Sequence, residues 1–129
     1  MAGSFSASAG AGRHAVTAEA AFIGRDVMAA LHGGERPHIG AVAMASPCTS
    51  GDTDVRAYAS VISAPGHRDD VLAHRLSLAM SRELGRTVCM AAGIHVGNAT
   101  GEDIRQLVRN AEDAARKLTN ILKEQIHGS

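Results

Sequence analysis

The most regular pattern in the chain lies towards its C-terminal end, where Ile104, Leu107, Val108, Ala111, Ala115, Leu118, Leu122 and Ile126 keep a 3.6-residue period. This spacing predicts a long amphipathic helix, and Thr100 and Asp103 are placed as a capping-box variant at its start. Its other side, with Arg105, Arg109, Glu112, Asp113, Arg116, Lys117 and Glu124, reads as a solvated face. A second helix is predicted after Asp69 or Asp70, either of which can cap it, because Leu72, Leu76, Ala79 and Met80 share one face. Gly85 suits its exit.

Strand patterns fill the rest. From His14 to Ile23 the residues are small, β-branched or aromatic with partial alternation, and Gly24-Arg25-Asp26 separates them from Val27 to Leu31, as in a hairpin. His32 to Pro37 is predicted to leave the sheet, since glycines weaken a strand interior and Pro37 has no N–H to give. Ile39 to Ala45 and Val55 to Ile62 are two further strands, separated by the polar stretch Ser46 to Asp54. Thr87 to Ala92 has no polar face, as expected for a strand buried on both sides. The expected order is ββββαβα: an α+β fold with a mostly antiparallel sheet of four to five strands and two helices on one face.

With 129 residues and 45% hydrophobic content, one domain over residues 14–127 is expected, preceded by a Gly/Ala/Ser-rich leader over 1–13 that reads as disordered. Thirteen basic side chains balance thirteen acidic ones, so no net field draws the chain to nucleic acid or an anionic membrane. Two Phe, one Tyr and no Trp leave no stacking platform for single strands, which weighs further against nucleic acid. Cys48 and Cys89 form neither a disulfide framework nor a CxxC knuckle. No signal peptide and no spanning apolar run is visible, so a cytoplasmic location without membrane attachment is expected.

Candidate chemistry gathers in three segments: Gly33-Gly34-Glu35-Arg36-Pro37-His38-Ile39-Gly40, Gly66-His67-Arg68-Asp69, and Ala92-Gly93-Ile94-His95-Val96-Gly97-Asn98. Each sets a histidine among glycines at the edge of a predicted element. Glycine lets backbone approach a ligand closely, and imidazole serves as metal ligand, proton carrier or hydrogen-bond partner near neutral pH. Two of the segments precede helices, whose free N–H groups can receive phosphate. A lone loop histidine is more often a surface or structural residue, so the case rests on His38, His67 and His95 converging. His14, His32, His74 and His127 read as surface or structural.

Taken in order and spacing, Gly33-Gly34 through Pro37-His38-Ile39-Gly40, then His67-Arg68-Asp69, then Ala92-Gly93-Ile94-His95-Val96 resemble the LpdD-like proteins. These are small accessory proteins of gallate-type decarboxylases of the prenylated-flavin, UbiD-like class, and the resemblance spans about residues 15 to 125. It implies a binding protein or chaperone for prenylated FMN that assists a UbiD-type decarboxylase in transient contact, rather than an enzyme. It further implies a divalent metal ion of unknown identity on His38, His67 and His95. Gly33, Gly34, Pro37, Gly40, Arg68, Asp69 and Gly93 would lie around the cofactor, with Asn98 as a polar contact. A small metal-dependent hydrolase or isomerase using the same histidines is the alternative, and an interaction module with incidental histidines is the third reading. A homodimer is expected as well, to cover apolar sheet surface at Ala57, Ala59 and Val61.

Overall fold

The structure, a computed structural model, describes residues 3–48, 56–64 and 69–128. Six strands, β1 (Phe5–Ala9), β2 (Val16–Ile23), β3 (Asp26–Gly34), β4 (Ala41–Cys48), β5 (Arg56–Ser63) and β6 (Val88–His95), form one sheet in the order β1-β2-β3-β6-β4-β5. Helix α1 (Asp70–Leu84) precedes β6, and α2 (Gly101–His127) follows it. The class is therefore α+β with two helices, but the sheet has six strands and is mixed. β6 enters between β3 and β4, parallel to β3 and antiparallel to β4, while the remaining pairs are antiparallel. No run of residues announces that insertion, because it depends on partners more than forty residues apart.

The register explains the core. Ala18, Leu31, Ala92 and Ala41 stand in one row across β2, β3, β6 and β4, and Ala29, Met90 and Ala43 form the next. All of these are buried on the face that α1 and α2 cover, α1 over β4, β5 and β6 and α2 over β1 and β2. So many alanines let the helices sit close to the sheet. Larger side chains, Met80 of α1 and Leu118 and Leu122 of α2, then fill the layer without aromatic bulk.

Four expectations are corrected here. The stretch expected as a disordered leader contains β1, which alternates Phe5, Ala7 and Ala9 towards the helix layer with Ser6 and Ser8 outward, and pairs along β2. Its Ala/Ser composition looked featureless, but the edge of β2 supplies the ladder that orders it. β3 does not end at Leu31 but runs through His32-Gly33-Gly34, because β6 continues alongside to His95 and pairs residue for residue with it. β4 likewise passes Ala45 to Cys48, including Pro47, where only β5 remains as a neighbour and a proline is tolerated. β6 is central yet covered by helices on one face only, and Cys89 and Ala91 on its other face are half-buried.

The sheet's exposed face also differs from expectation. Ala57, Ala59 and Val61 are half-buried towards the helix layer, whereas Tyr58 and Ile62 point outward at 68% and 79% exposure. β5 falls within the strand expected over Val55 to Ile62 and alternates with a two-residue period, and which half of it meets the helices is decided by pairing Val61 with the buried Ala43. Among the described residues, no helix is long and apolar enough to cross a membrane.

Candidate functional site

β6 ends at His95 beyond the last residue of β4 that pairs with it, since that pairing begins at Ala41 opposite Ala92. The Gly40 N–H still donates to the Ala92 carbonyl at 2.8 Å, but the next N–H along this edge, that of Ile94, has lost its strand partner. Asp69 takes its place: its Oδ1 accepts from the Ile94 N–H at 3.0 Å. The other carboxylate oxygen, Oδ2, lies 3.1 Å from His38 Nε2. His38 Nδ1 is 2.9 Å from the Arg36 carbonyl, which only accepts, so Nδ1 is the donor there and Nε2 faces the carboxylate.

Asp69 was expected as a possible helix cap. It occupies the N-cap position of α1 but makes no side-chain capping bond, and only 7% of it is exposed. A nearly buried carboxylate has been committed across the fold to β6 and His38 in place of its own helix.

The segment before β4 is held just as closely. Gly34, at φ +76°, turns the end of β3 so that the N–H groups of Glu35 and Arg36 both donate to the His95 carbonyl, at 2.7 and 3.3 Å. The chain then folds back over β6, where a Cβ on Gly93 would collide with the His38 carbonyl and one on Gly40 with the Asp69 carboxylate. Gly33 presses on the backbone of Ala15 and Val16 and is a packing residue. The glycines thus let His38 lie against the strand end, with its ring centroid 6.5 Å from that of His95 and the planes at 77°.

Next to these groups a cleft of about 570 Å³ opens between the first turns of the two helices. Val71 and Leu72 of α1, Ile104, Leu107 and Val108 of α2, and Ile94 of β6 give it apolar walls, while His38, Asp69 and His95 line it near the strand ends. Arg75, about 9 Å along α1 from Asp69 by helical rise, also lines it and is bonded to Glu112 of α2 at 2.8 Å. A second hollow of about 460 Å³, lined by Arg36, Pro37, His38 and His95, shares the two imidazoles.

Sequence reasoning missed the apolar walls. Ile104 was counted in the core stripe of the last helix but is 54% exposed, and Val71 is 64% exposed. Exposed branched residues at the starts of two helices are the signal that was available.

Of the expected site residues, His38, Asp69 and His95 meet around the cleft, with Pro37 in the adjoining hollow. Gly34, Gly40 and Gly93 shape the backbone around them. Asn98 lies in the turn before α2 at φ +51°, exposed, and lines neither cavity. His67 and Arg68 lie outside the described residues. Among the described residues, no three His, Cys, Asp or Glu side chains are grouped to hold a metal ion.

The turn before α2 is fixed by a separate cluster. Thr100 and Asp103 form the predicted capping box, with bonds of 2.9 and 3.1 Å, and His14 Nε2 lies 2.8 Å from Asp103 Oδ1. The Thr100 N–H first, and then His14, hold the Asp103 carboxyl down at about 2. Glu35 accepts from the Gly97 N–H at 2.8 Å and Arg13 donates to the Gly97 carbonyl at 3.0 Å, pinning the loop that follows His95.

Fold and cleft define a two-layer α+β protein whose sheet's strand ends and helix starts frame an apolar-walled cleft. The sequence profile described as the prenylated flavin chaperone LpdD-like domain matches residues 10–123, and the chain belongs to that family. It is 28% identical over 106 residues to Protein LpdD of Lactiplantibacillus plantarum, covering 78% of this chain and 72% of that protein. A chain in the crystal structure of a chaperone complex for yeast 20S proteasome assembly has the same fold, with a TM-score of 0.59, 13% identity and 94% of each chain covered.

Proposed function

We propose that this protein binds prenylated FMN in the cleft between α1 and α2 and acts as a chaperone that matures the cofactor or delivers it to a UbiD-type decarboxylase in transient contact. The observation that carries this is the cleft itself, in a chain of a prenylated flavin chaperone family. Its volume of about 570 Å³ falls within the range of pockets that hold cofactor-sized ligands. Apolar walls suit a ring system extended by a prenyl-derived carbon frame, and His38, Asp69 and His95 offer hydrogen bonds to the polar edge of a flavin.

A binding role rather than turnover fits how these groups are used. Asp69 and His38 are tied to backbone at Ile94 and Arg36, which fixes them as an oriented, rigid rim. The mouth between helix starts, formed by exposed Val71 and Ile104, leaves the ligand reachable from outside, as transfer to a second protein requires. Of the three histidines on which the resemblance implies a divalent cation, His38 and His95 line the cleft and His67 lies outside the described residues, and among the described residues no three His, Cys, Asp or Glu side chains are grouped to hold one. Ligand binding in this reading proceeds through hydrogen bonds and apolar contact.

The test is an anaerobic absorbance titration with reduced prenylated FMN, with and without EDTA, and with FMN as comparator. His38→Ala and Ile104→Asp are each expected to weaken binding about tenfold, the effect of an unsatisfied polar group or a broken apolar wall. His67→Ala measures the contribution expected of that residue from the sequence and should weaken binding too. EDTA is expected to leave the affinity unchanged. Absence of flavin binding, or binding indifferent to both His38→Ala and Ile104→Asp, overturns the assignment. Release of the flavin by EDTA would restore the metal to the mechanism.

A further inference from the structure

The hollow beside the cleft, lined by Arg36, Pro37, His38 and His95, differs from it in charge, since among the described residues no carboxylate lines it. Arg36 leaves a backbone that is fixed from both sides. Its N–H donates to the His95 carbonyl, its own carbonyl accepts from His38 Nδ1 at 2.9 Å, and Pro37 after it narrows the φ/ψ range open to it. The Arg36 side chain is exposed and, among the described residues, has no carboxylate partner. The adjacent Glu35 is committed elsewhere, to the Gly97 N–H at 2.8 Å and to Arg13 at 3.7 Å. The His95 imidazole makes no hydrogen bond among the described residues and stands edge-on to His38, so it too has an N–H to offer. An unneutralised guanidinium beside an imidazole donor is a seat for an anion.

We infer that this hollow takes a phosphate monoester, the tail of the ligand whose ring system occupies the cleft. The identity of the ligand rests on the cleft reading; the choice of the hollow for its phosphate rests on charge. The helix starts, expected from the sequence to receive phosphate, carry acids: Asp69 and Asp70 at α1, Glu102 and Asp103 at α2. The other guanidinium at the cleft, that of Arg75, is bonded to Glu112 at 2.8 Å and would have to exchange one anion for another. Arg36 has no such partner to give up, its planar fork matches two phosphate oxygens, and its fixed backbone leaves only the side chain to be ordered on binding. Because His38 and His95 line both cavities, a ligand can run from one into the other past the two rings.

The test compares reduced prenylated FMN with the same flavin dephosphorylated by a phosphatase, both titrated anaerobically. The parent chain should bind the phosphorylated form about tenfold more tightly, the effect of a charge-assisted hydrogen bond. Arg36→Met should erase that preference, weakening prenylated FMN and leaving the dephosphorylated flavin unchanged, whereas Arg36→Lys should keep part of it and Arg75→Met all of it. Without any flavin, millimolar inorganic phosphate should shift the His95 ring signals in NMR spectra of the parent chain but not of Arg36→Met. A preference that survives Arg36→Met, or that Arg75→Met removes, overturns the inference. Ile104→Asp separates it from the cleft reading: this variant should weaken both flavins equally, and if it weakens neither while Arg36→Met erases the preference, the hollow stands and the cleft fails. Should neither flavin bind the parent chain, the cleft reading fails, and the inorganic phosphate shift of His95 then decides the hollow, its presence upholding a phosphate site there and its absence overturning it.

Discussion

Two aspartates near helix starts, Asp69 and Asp103, meet the same kinds of partner and serve different ends. Each sits by a histidine, His38 at 3.1 Å and His14 at 2.8 Å, and each accepts a backbone N–H, from Ile94 at 3.0 Å and from Thr100 at 2.9 Å. Asp103 does so within its own helix terminus, three residues from Thr100, and the result is a capping box. Asp69 does so across the fold, 25 residues from Ile94, and the result is a buried carboxylate on the wall of a cleft. The lesson is that residue type, helix position and a neighbouring histidine do not distinguish a cap from a candidate site residue; the sequence separation of the backbone N–H that the carboxylate accepts does.

The sharpest way to break the Asp69 corner is to deny its histidine the space it occupies. Gly93→Val should displace the His38 backbone and cost about 3 kcal/mol by overpacking, with loss of flavin binding, read by urea unfolding and titration. A stable variant with intact binding would show that the His38 segment does not need to lie on β6.

Asp69→Ala comes next, because it strands the Ile94 N–H at a site with little solvent; about 2 kcal/mol of stability and a similar factor in ligand affinity should go together. Asp69→Asn should recover most of the stability, since its amide oxygen still accepts from Ile94, while its NH₂ group meets His38 Nε2 in place of an anion. If Asn fails as badly as Ala, negative charge rather than hydrogen bonding is what the corner requires.

At the other aspartate the effects are smaller and confined to stability. Thr100→Ala removes one half of the capping box and should cost about 1 kcal/mol while leaving flavin affinity unchanged. The acid limb is the finest comparison. Asp103 is held at about 2, below its ordinary 3.8, so its stabilising contribution is complete above pH 4 and is lost as pH falls towards 2. Plotted against pH, the urea midpoint of Asp103→Asn should decline less steeply than the parent over that window. Equal slopes would place the acid sensitivity elsewhere, for example at Glu102, which Arg105 also holds below its usual value.

What could be read along the chain is what neighbours in sequence decide. The period of α2, its Thr100/Asp103 cap, the Gly85 exit of α1 and the partial alternation of β2 all arise within a few residues, and they stand as predicted. The glycine-flanked His38 and His95 also come together at one strand end, because close backbone approach demands glycine wherever the fold later brings chains together. Where those chains meet was another matter. Inserting β6 between β3 and β4 extended β3 through Gly33-Gly34, left the Ile94 N–H for Asp69, and set His38 beside His95. It also decided which half of β5 faces the helices and which half, with Tyr58 and Ile62, stays open. Local periodicity specifies that a strand has two faces, but only pairing with residues far along the chain assigns one of them to the core, and the same long-range pairing turned a predicted helix cap into the wall of a cleft.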